Sequence, residues 1–166
     1  MSAHPPAADA PTRPAGGHLL VPVDLSEASP AVVRAAGQLA RDLRAGVVFL
    51  HVVERPPGLP SDVIVKPEPD AVPVSVHEWL DGQARRALPP LHAALVEYGV
   101  DARDLVRHGD VVDTILSVAD ELDARMIVMG TEGRKGLQRL ILGSVAERVV
   151  RRSTRPVMTV RAAPQA

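Results

Sequence analysis

The chain has 166 residues, a length suited to one domain built on one hydrophobic core. Its formal net charge is −1 and it has no cysteine, which excludes disulfides, thiolate metal sites and any global attraction to nucleic acid or acidic membranes. One Trp, one Tyr and one Phe are too few for the aromatic platforms on which single-stranded nucleic acid stacks.

Residues 1–17 (MSAHPPAADAPTRPAGG) are rich in Pro, Ala and Gly without apolar periodicity, and predict a disordered tail. They lack the charged start and apolar core of a signal peptide. No run in the chain approaches the roughly 20 apolar residues of a membrane span. A cytoplasmic location without membrane contact is therefore expected. Leu19 to Val23 then form a short apolar run that reads as a buried strand, with Pro22 near its carboxyl end, where a missing donor matters least. Asp24 and Ser26 favour a turn or a helix cap. A helix opens at Ser26 or at Ser29-Pro30 and carries Val32, Val33, Ala36, Leu39, Ala40 and Leu43 at helical spacing. Gly46 is expected to close it. Val47 to Val53 (VVFLHVV) is the second buried strand. His51 within it reads as a hydrogen-bonded core histidine, since no histidine pair in the chain has zinc-ligand spacing.

Residues 54–74 form a proline-rich loop, long enough to read as a lid or insertion. A helix from about Val76 to Tyr98 follows, and Pro89-Pro90 must kink or split it before Gly99 ends it. Leu105 to Arg107 is a short third strand. Gly109-Asp110 caps a helix bearing Val112, Ile115, Leu116, Ala119 and Leu122. Met126 to Met129 is the fourth strand, Val145 to Arg152 the last helix and Pro156 to Val160 the fifth strand. This alternation predicts an α/β fold: an open five-stranded parallel sheet with helices on both faces, in three layers, spanning residues 18–162 and followed by a short tail at 163–166. Ligands of such sheets bind beyond the carboxyl ends of the strands, where strand order reverses. Asp24, Val52 and Gly130 fall at such ends.

Between the fourth strand and the last helix lies MGTEGRKGLQRLILGSVAERVV. Gly130 ends a buried strand, where a turn with unusual dihedrals is expected. Gly133 removes a side chain where a ligand would approach. Gly143-Ser144 opens a helix, whose amino end presents unpaired amides and partial positive charge to a phosphate. Arg134 and Lys135 add cationic groups at the mouth. Ser144 and Glu147 also have the spacing of a capping box, a purely structural account of the serine. The arginines of the carboxyl-terminal region, Arg139, Arg148, Arg151, Arg152 and Arg155, read as a solvated helix face.

The pattern G-x2-G-x9-G-[ST] after the fourth strand resembles the nucleotide-binding motif of the ATP-binding branch of the universal stress protein family. HLLVPVDLSEAS, VVFLHVVE and RPVMTVR resemble the family's first, second and closing strands in order, so the likeness runs from about His18 to Arg161. It implies a fold related to the adenine nucleotide alpha hydrolases and a site for ATP, with Mg2+ or Mn2+ as companion ion. Asp24 would then lie near the ribose or the metal, with Pro22 and Val23 on the same wall and Val52 at the adenine. Met129, Gly130, Gly133 and Arg134 would surround ribose and phosphates, and Gly143, Ser144 and Val145 would hold the outer phosphates. The resemblance also implies a homodimer formed through strand 156–160. Two positions depart from the family: Glu132 stands where His or Arg is frequent, and Ala146 replaces a hydroxyl residue of some ATP-binding members.

Three functions follow as expectations. The first is a cytoplasmic dimeric module that binds ATP or a related adenine nucleotide and regulates partners under stress. The second is a nucleotide-free interaction protein with a degenerate site. The third is an enzyme, at most a weak ATPase, because VPVDLS lacks the glycine pair of the SGGxDS loop found in related phosphate-cleaving folds, and no nucleophile–base pair is evident.

Overall fold

The computed structural model describes residues 14–25, 29–54, 63–66, 72–131 and 143–161. In chain order the elements are β1 (His18–Pro22), α1 (Ser29–Leu43), β2 (Gly46–Val53), β3 (Ile64–Val65), β4 (Val74–Ser75), α2 (Val76–Ala87) and α3 (Pro89–Ala93). A 3-10 turn at Val96–Tyr98 follows, then β5 (Ala102–His108), α4 (Val111–Glu121), β6 (Met126–Gly130), α5 (Ser144–Arg152) and β7 (Val157–Val160). Five strands form one sheet in the order β5-β2-β1-β6-β7, and every pairing is parallel. Among the described residues no helix is long and apolar enough to cross a membrane.

The strands read as unbroken apolar runs because successive residues are buried on opposite faces. Leu19, Val21, Val47, Phe49 and Val128 pack on one face beneath Val33, Ala36 and Ala40 of α1 and beside Leu88 and Leu95. Leu20, Val48, Leu50, Ile127 and Met129 pack on the other face beneath Val112, Ile115 and Ala119 of α4 and Ala146 and Val149 of α5. The chain thus moves from β1 towards one edge with its helices on one face, then crosses and moves from β6 towards the other edge with its helices on the opposite face. The reversal lies between β1 and β6.

That seam is narrow. β1 pairs with β2 from His18–Gly46 to Pro22–Leu50, but with β6 only at Leu19–Met126 and Leu20–Ile127. Pairing between the two strands stops at Leu20, and the crevice expected at such a reversal lies beyond their carboxyl ends.

Several local features differ from the sequence expectation. Pro14–Gly17, counted with the tail on composition, lie against the fold: Gly16 N donates to Arg44 O and Gly46 N to Gly17 O, both at 3.0 Å. Residues 1–13 lie outside the described residues. Helix α1 is closed by Arg44, not by Gly46, which begins β2. Arg44 adopts φ 54, and the bonds Ala45 N to Ala40 O and Arg44 N to Arg41 O complete a Schellman cap. Asp123 (φ 48) ends α4 the same way, with Ala124 N bonded to Ala119 O. A left-handed conformation strains a residue bearing Cβ, so Arg44→Gly is expected to stabilise the protein by about 1 kcal/mol. Urea unfolding with an unchanged m-value would show it; a loss of stability would mean the Arg44 side chain matters more than its backbone.

The helix expected from Val76 to Tyr98 is split by its prolines, with Leu88 buried at the junction and Gly99 (φ 63) ending the 3-10 turn. That turn packs tightly on α1 because Gly37 leaves room for it: a Cβ at Gly37 would sit 2.6 Å from Tyr98 Cδ2. β5 is longer than Leu105–Arg107 because it is an edge strand, where Arg103, Asp104 and Arg107 are tolerated within the strand. The small antiparallel pair of β3 and β4, inside the proline-rich segment, has no counterpart in the sequence reading; two-residue strands carry no periodicity.

The arginines of α5, and Arg155 just beyond it, are not merely solvated. Arg148 faces Asp110 at 3.9 Å, Arg152 faces Asp113 at 2.8 Å, and Arg155 reaches Asp120 at 3.3 Å and Asp123 at 2.6 Å. A row of α4 carboxylates therefore matches the arginine row, and the basic charge is neutralised locally. The hydrogen bonds that Arg155 donates to Asp123 and Asp120 raise its pKa above the ordinary value. Asp110 also caps α4, accepting from Asp113 N at 3.0 Å; that bond, helped by Arg148, holds its carboxyl below the usual range.

Candidate functional site at the carboxyl edge of the sheet

Pro22 is the last residue of β1, as expected, and Val23 continues the tie to β2. Val23 N donates to Leu50 O at 2.9 Å, and Val23 O is 2.8 Å from His51 Nδ1. With the Nδ1–H tautomer, His51 donates this bond and holds the end of β1 in place. The half-buried Asp24 comes next, and Leu25 (φ 60) turns the chain off the sheet. Such a conformation is strained for a bulky side chain, and strain of this kind concentrates at ligand-binding turns.

On the neighbouring strand Val52 is half-buried and packs on the α4/α5 face. Across the crevice Met129 is buried in the same face, and Gly130 ends β6 opposite Val160. Two bonds then close the wall: Thr131 N donates to Val160 O at 2.9 Å, and Gly143 N donates to Thr131 O at 2.7 Å. The second bond draws the amino end of α5 against the end of β6. Val145, the second residue of that helix, packs on the same face as Val52. Alternation along β1 sends Asp24 to this face as well, two residues beyond Pro22 and on the side of Leu20.

The amino end of α5 departs from the capping-box expectation. Gly143, not Ser144, is the N-cap, and no side chain caps the helix. Glu147 N takes the first helical bond, to Gly143 O at 2.9 Å, and the Glu147 carboxylate bonds Arg151 at 3.0 Å. The amides of Ser144, Val145 and Ala146 precede that first bond and have no intrahelical acceptor. Ser144 is exposed, while Ala146 is buried in the core. Position 146 thus gives its side chain to the core and its uncapped amide to the helix end. Gly130 and Gly143 are also not demanded by dihedral angle. Gly143 has φ −57, and the positive-φ glycines among the described residues are Gly17, Gly99 and Gly109. Gly133, Arg134 and Glu132 lie outside the described residues.

One residue of this edge escaped the sequence reading. Thr131 Oγ1 is buried with no hydrogen-bond partner. Together the groups suit an anion: uncapped amides, a helix dipole worth about half a positive charge, and a hydroxyl beneath them. Among the described residues no group of three or more His, Asp or Glu could hold a metal ion, so a cation here would need ligand oxygens beside Asp24. A hollow of about 500 Å3 at the opposite edge, near Gly17, Ala124 and Arg155, offers no comparable convergence, because Arg155 is bonded to Asp120 and Asp123.

Residues 17–161 match the model of the Universal stress protein family. The chain belongs to the universal stress protein family. Universal stress protein MJ0531 of Methanocaldococcus jannaschii is 31% identical over 145 residues, covering 86% of this chain and 81% of that protein. A universal stress protein of Archaeoglobus fulgidus solved with dAMP superposes with a TM-score of 0.62 at 22% identity, covering 87% of this universal stress protein and 97% of its relative. Another, solved with cAMP, gives a TM-score of 0.64 at 24% identity, covering 89% and 98% of the two chains. These likenesses establish the five-stranded α/β fold.

Proposed function

We propose that this universal stress protein binds an adenine nucleotide, ATP foremost, at the carboxyl edge of its sheet and works as a regulatory binding module rather than as an enzyme. The observation that carries the reading is the convergence of Asp24, Val52, Thr131 and the uncapped amino end of α5 on one face of the sheet, beside the crevice where β1 and β6 part. Two structural relatives hold adenine nucleotides, dAMP and cAMP, which supports the ligand class. Val52 would flank the base, Asp24 the ribose or a bound Mg2+ or Mn2+, and the amides of Ser144 and Val145 the phosphates. We assign the cytoplasm as its location, and a homodimer through β7. That strand is an edge of the sheet, and Met158 on it and Val150 on the neighbouring α5 are exposed apolar side chains.

Isothermal titration of the full chain with ATP, ADP, AMP and cAMP, with and without Mg2+ or Mn2+, tests the reading. Saturable heat and a rise in melting temperature are expected. No heat and no thermal shift at millimolar nucleotide would sink it, and sustained ATP turnover in the same samples would overturn its non-enzymatic part.

A further inference from the structure

Thr131 has its backbone engaged on both sides. Its N–H donates to Val160 O at 2.9 Å, and its carbonyl accepts from Gly143 N at 2.7 Å. Its hydroxyl differs: Oγ1 is shielded from solvent and has no hydrogen-bond partner. Native proteins rarely leave a buried hydroxyl unsatisfied, and the exceptions call for an explanation such as a reserved ligand contact. The two backbone bonds fix its surroundings. The bond to Gly143 N sets Thr131 beside the amino end of α5, where the first amides have no helical acceptor. Alternation along β6 places Met129 on the α4/α5 face, and Thr131, two residues on, falls on the same side.

We propose that Thr131 Oγ1 donates a hydrogen bond to a phosphate oxygen of the bound adenine nucleotide, completing the set of donors begun by the α5 amides. This rests on the adenine-nucleotide reading and sharpens it: Thr131 makes the site favour phosphorylated ligands over the bare nucleoside. The hydroxyl waits unpaired in the free protein and is satisfied only when a phosphate arrives. A hydroxyl suits that task better than a cation, because it adds no repulsion to the helix end before the ligand binds.

The test compares wild type, Thr131→Val and Thr131→Ser by titration with ATP, AMP and adenosine, together with thermal melts of the ligand-free proteins. Thr131→Val keeps the shape and removes the hydroxyl. It should bind ATP and AMP about 10-fold more weakly, the size of one lost hydrogen bond to a charged acceptor. Its adenosine affinity should be unchanged, its ligand-free melting temperature equal or higher, and Thr131→Ser should bind like wild type. If wild type binds ATP and AMP but Thr131→Val binds them equally well, this inference fails and the nucleotide reading stands. It fails likewise if Thr131→Val melts lower without ligand, or loses adenosine and AMP affinity alike, since the hydroxyl would then be structural or turned to the ribose. If wild type binds none of the three ligands, the nucleotide reading and this inference fall together.

Discussion

Gly143→Asp is expected to stabilise the fold slightly while weakening adenine-nucleotide binding by at least about 100-fold. The two effects have opposite signs because one group of amides serves both. Gly143 is the N-cap of α5, with φ −57 and ψ 150, a conformation open to any L-residue. Aspartate there would accept from the amides at the second or third helical position and complement the helix dipole, a gain of roughly 0.5–1 kcal/mol. Those same amides are the ones proposed to meet phosphate. The new carboxylate would occupy them and repel the phosphates by a few kcal/mol in a partly desolvated crevice. Thermal melts and titration on one preparation measure both effects. Unchanged ATP affinity alongside raised stability would remove α5 from the binding site and favour a nucleotide-free interaction protein.

The largest stability effect is expected at Phe49. It is the single phenylalanine of the chain, fully buried in the middle of β2, and its ring centroid lies 5.4 Å from that of His92 on α3. Phe49→Ala removes a large side chain from the face that α1 and the α2–α3 segment share, and no neighbour in a close-packed sheet can collapse to fill the space. A cost of about 3–5 kcal/mol is expected, a large part of the 5–15 kcal/mol of a typical domain. The denaturation midpoint should fall accordingly, with Phe49→Leu losing much less. A loss under about 1 kcal/mol for the alanine variant would show that this face of the core repacks freely.

The sheet was legible in the sequence because a doubly covered parallel strand must be apolar at every position, so LLV, VVFL and MIVM stand out from their flanks. Strand ends and helix ends were less legible, for identifiable reasons. Arg44 and Asp123 close helices in a left-handed conformation that sequence rules reserve for glycine, so Gly46 drew the assignment instead. Two serine–glutamate pairs share the capping-box spacing. The one at Ser144 and Glu147 is not a box, because α5 starts one residue earlier and Arg151 takes the glutamate. The other, Ser75 and Glu78, forms the box at α2, with Glu78 N to Ser75 Oγ at 3.2 Å and Ser75 N to Glu78 Oε2 at 3.0 Å. Spacing alone does not distinguish them; what matters is where the chain leaves the sheet.

At the candidate site, the strand-end rule and the family resemblance singled out Asp24 and Val52, motif spacing singled out Gly130 and Gly143, and the structure brings the four to one edge. Gly130 was expected to adopt unusual dihedrals and does not, since it ends β6 without a positive φ, whereas Gly143 opens α5 as read. Thr131 was illegible because a threonine between two motif glycines has no periodicity, charge or unusual type. Its interest lies wholly in a hydrogen bond the fold does not make.

The narrow join between β1 and β6 has a mechanical meaning. Apart from two residue pairs, the backbone ladder divides into a half-sheet of β5, β2 and β1 and a half-sheet of β6 and β7. Asp24 and Val52 stand on the first half, and Thr131, Gly143 and Ser144 on the second. A molecule touching both sets would act as a rivet across the weakest line of the sheet, so that filling the crevice and stiffening the whole protein become a single event.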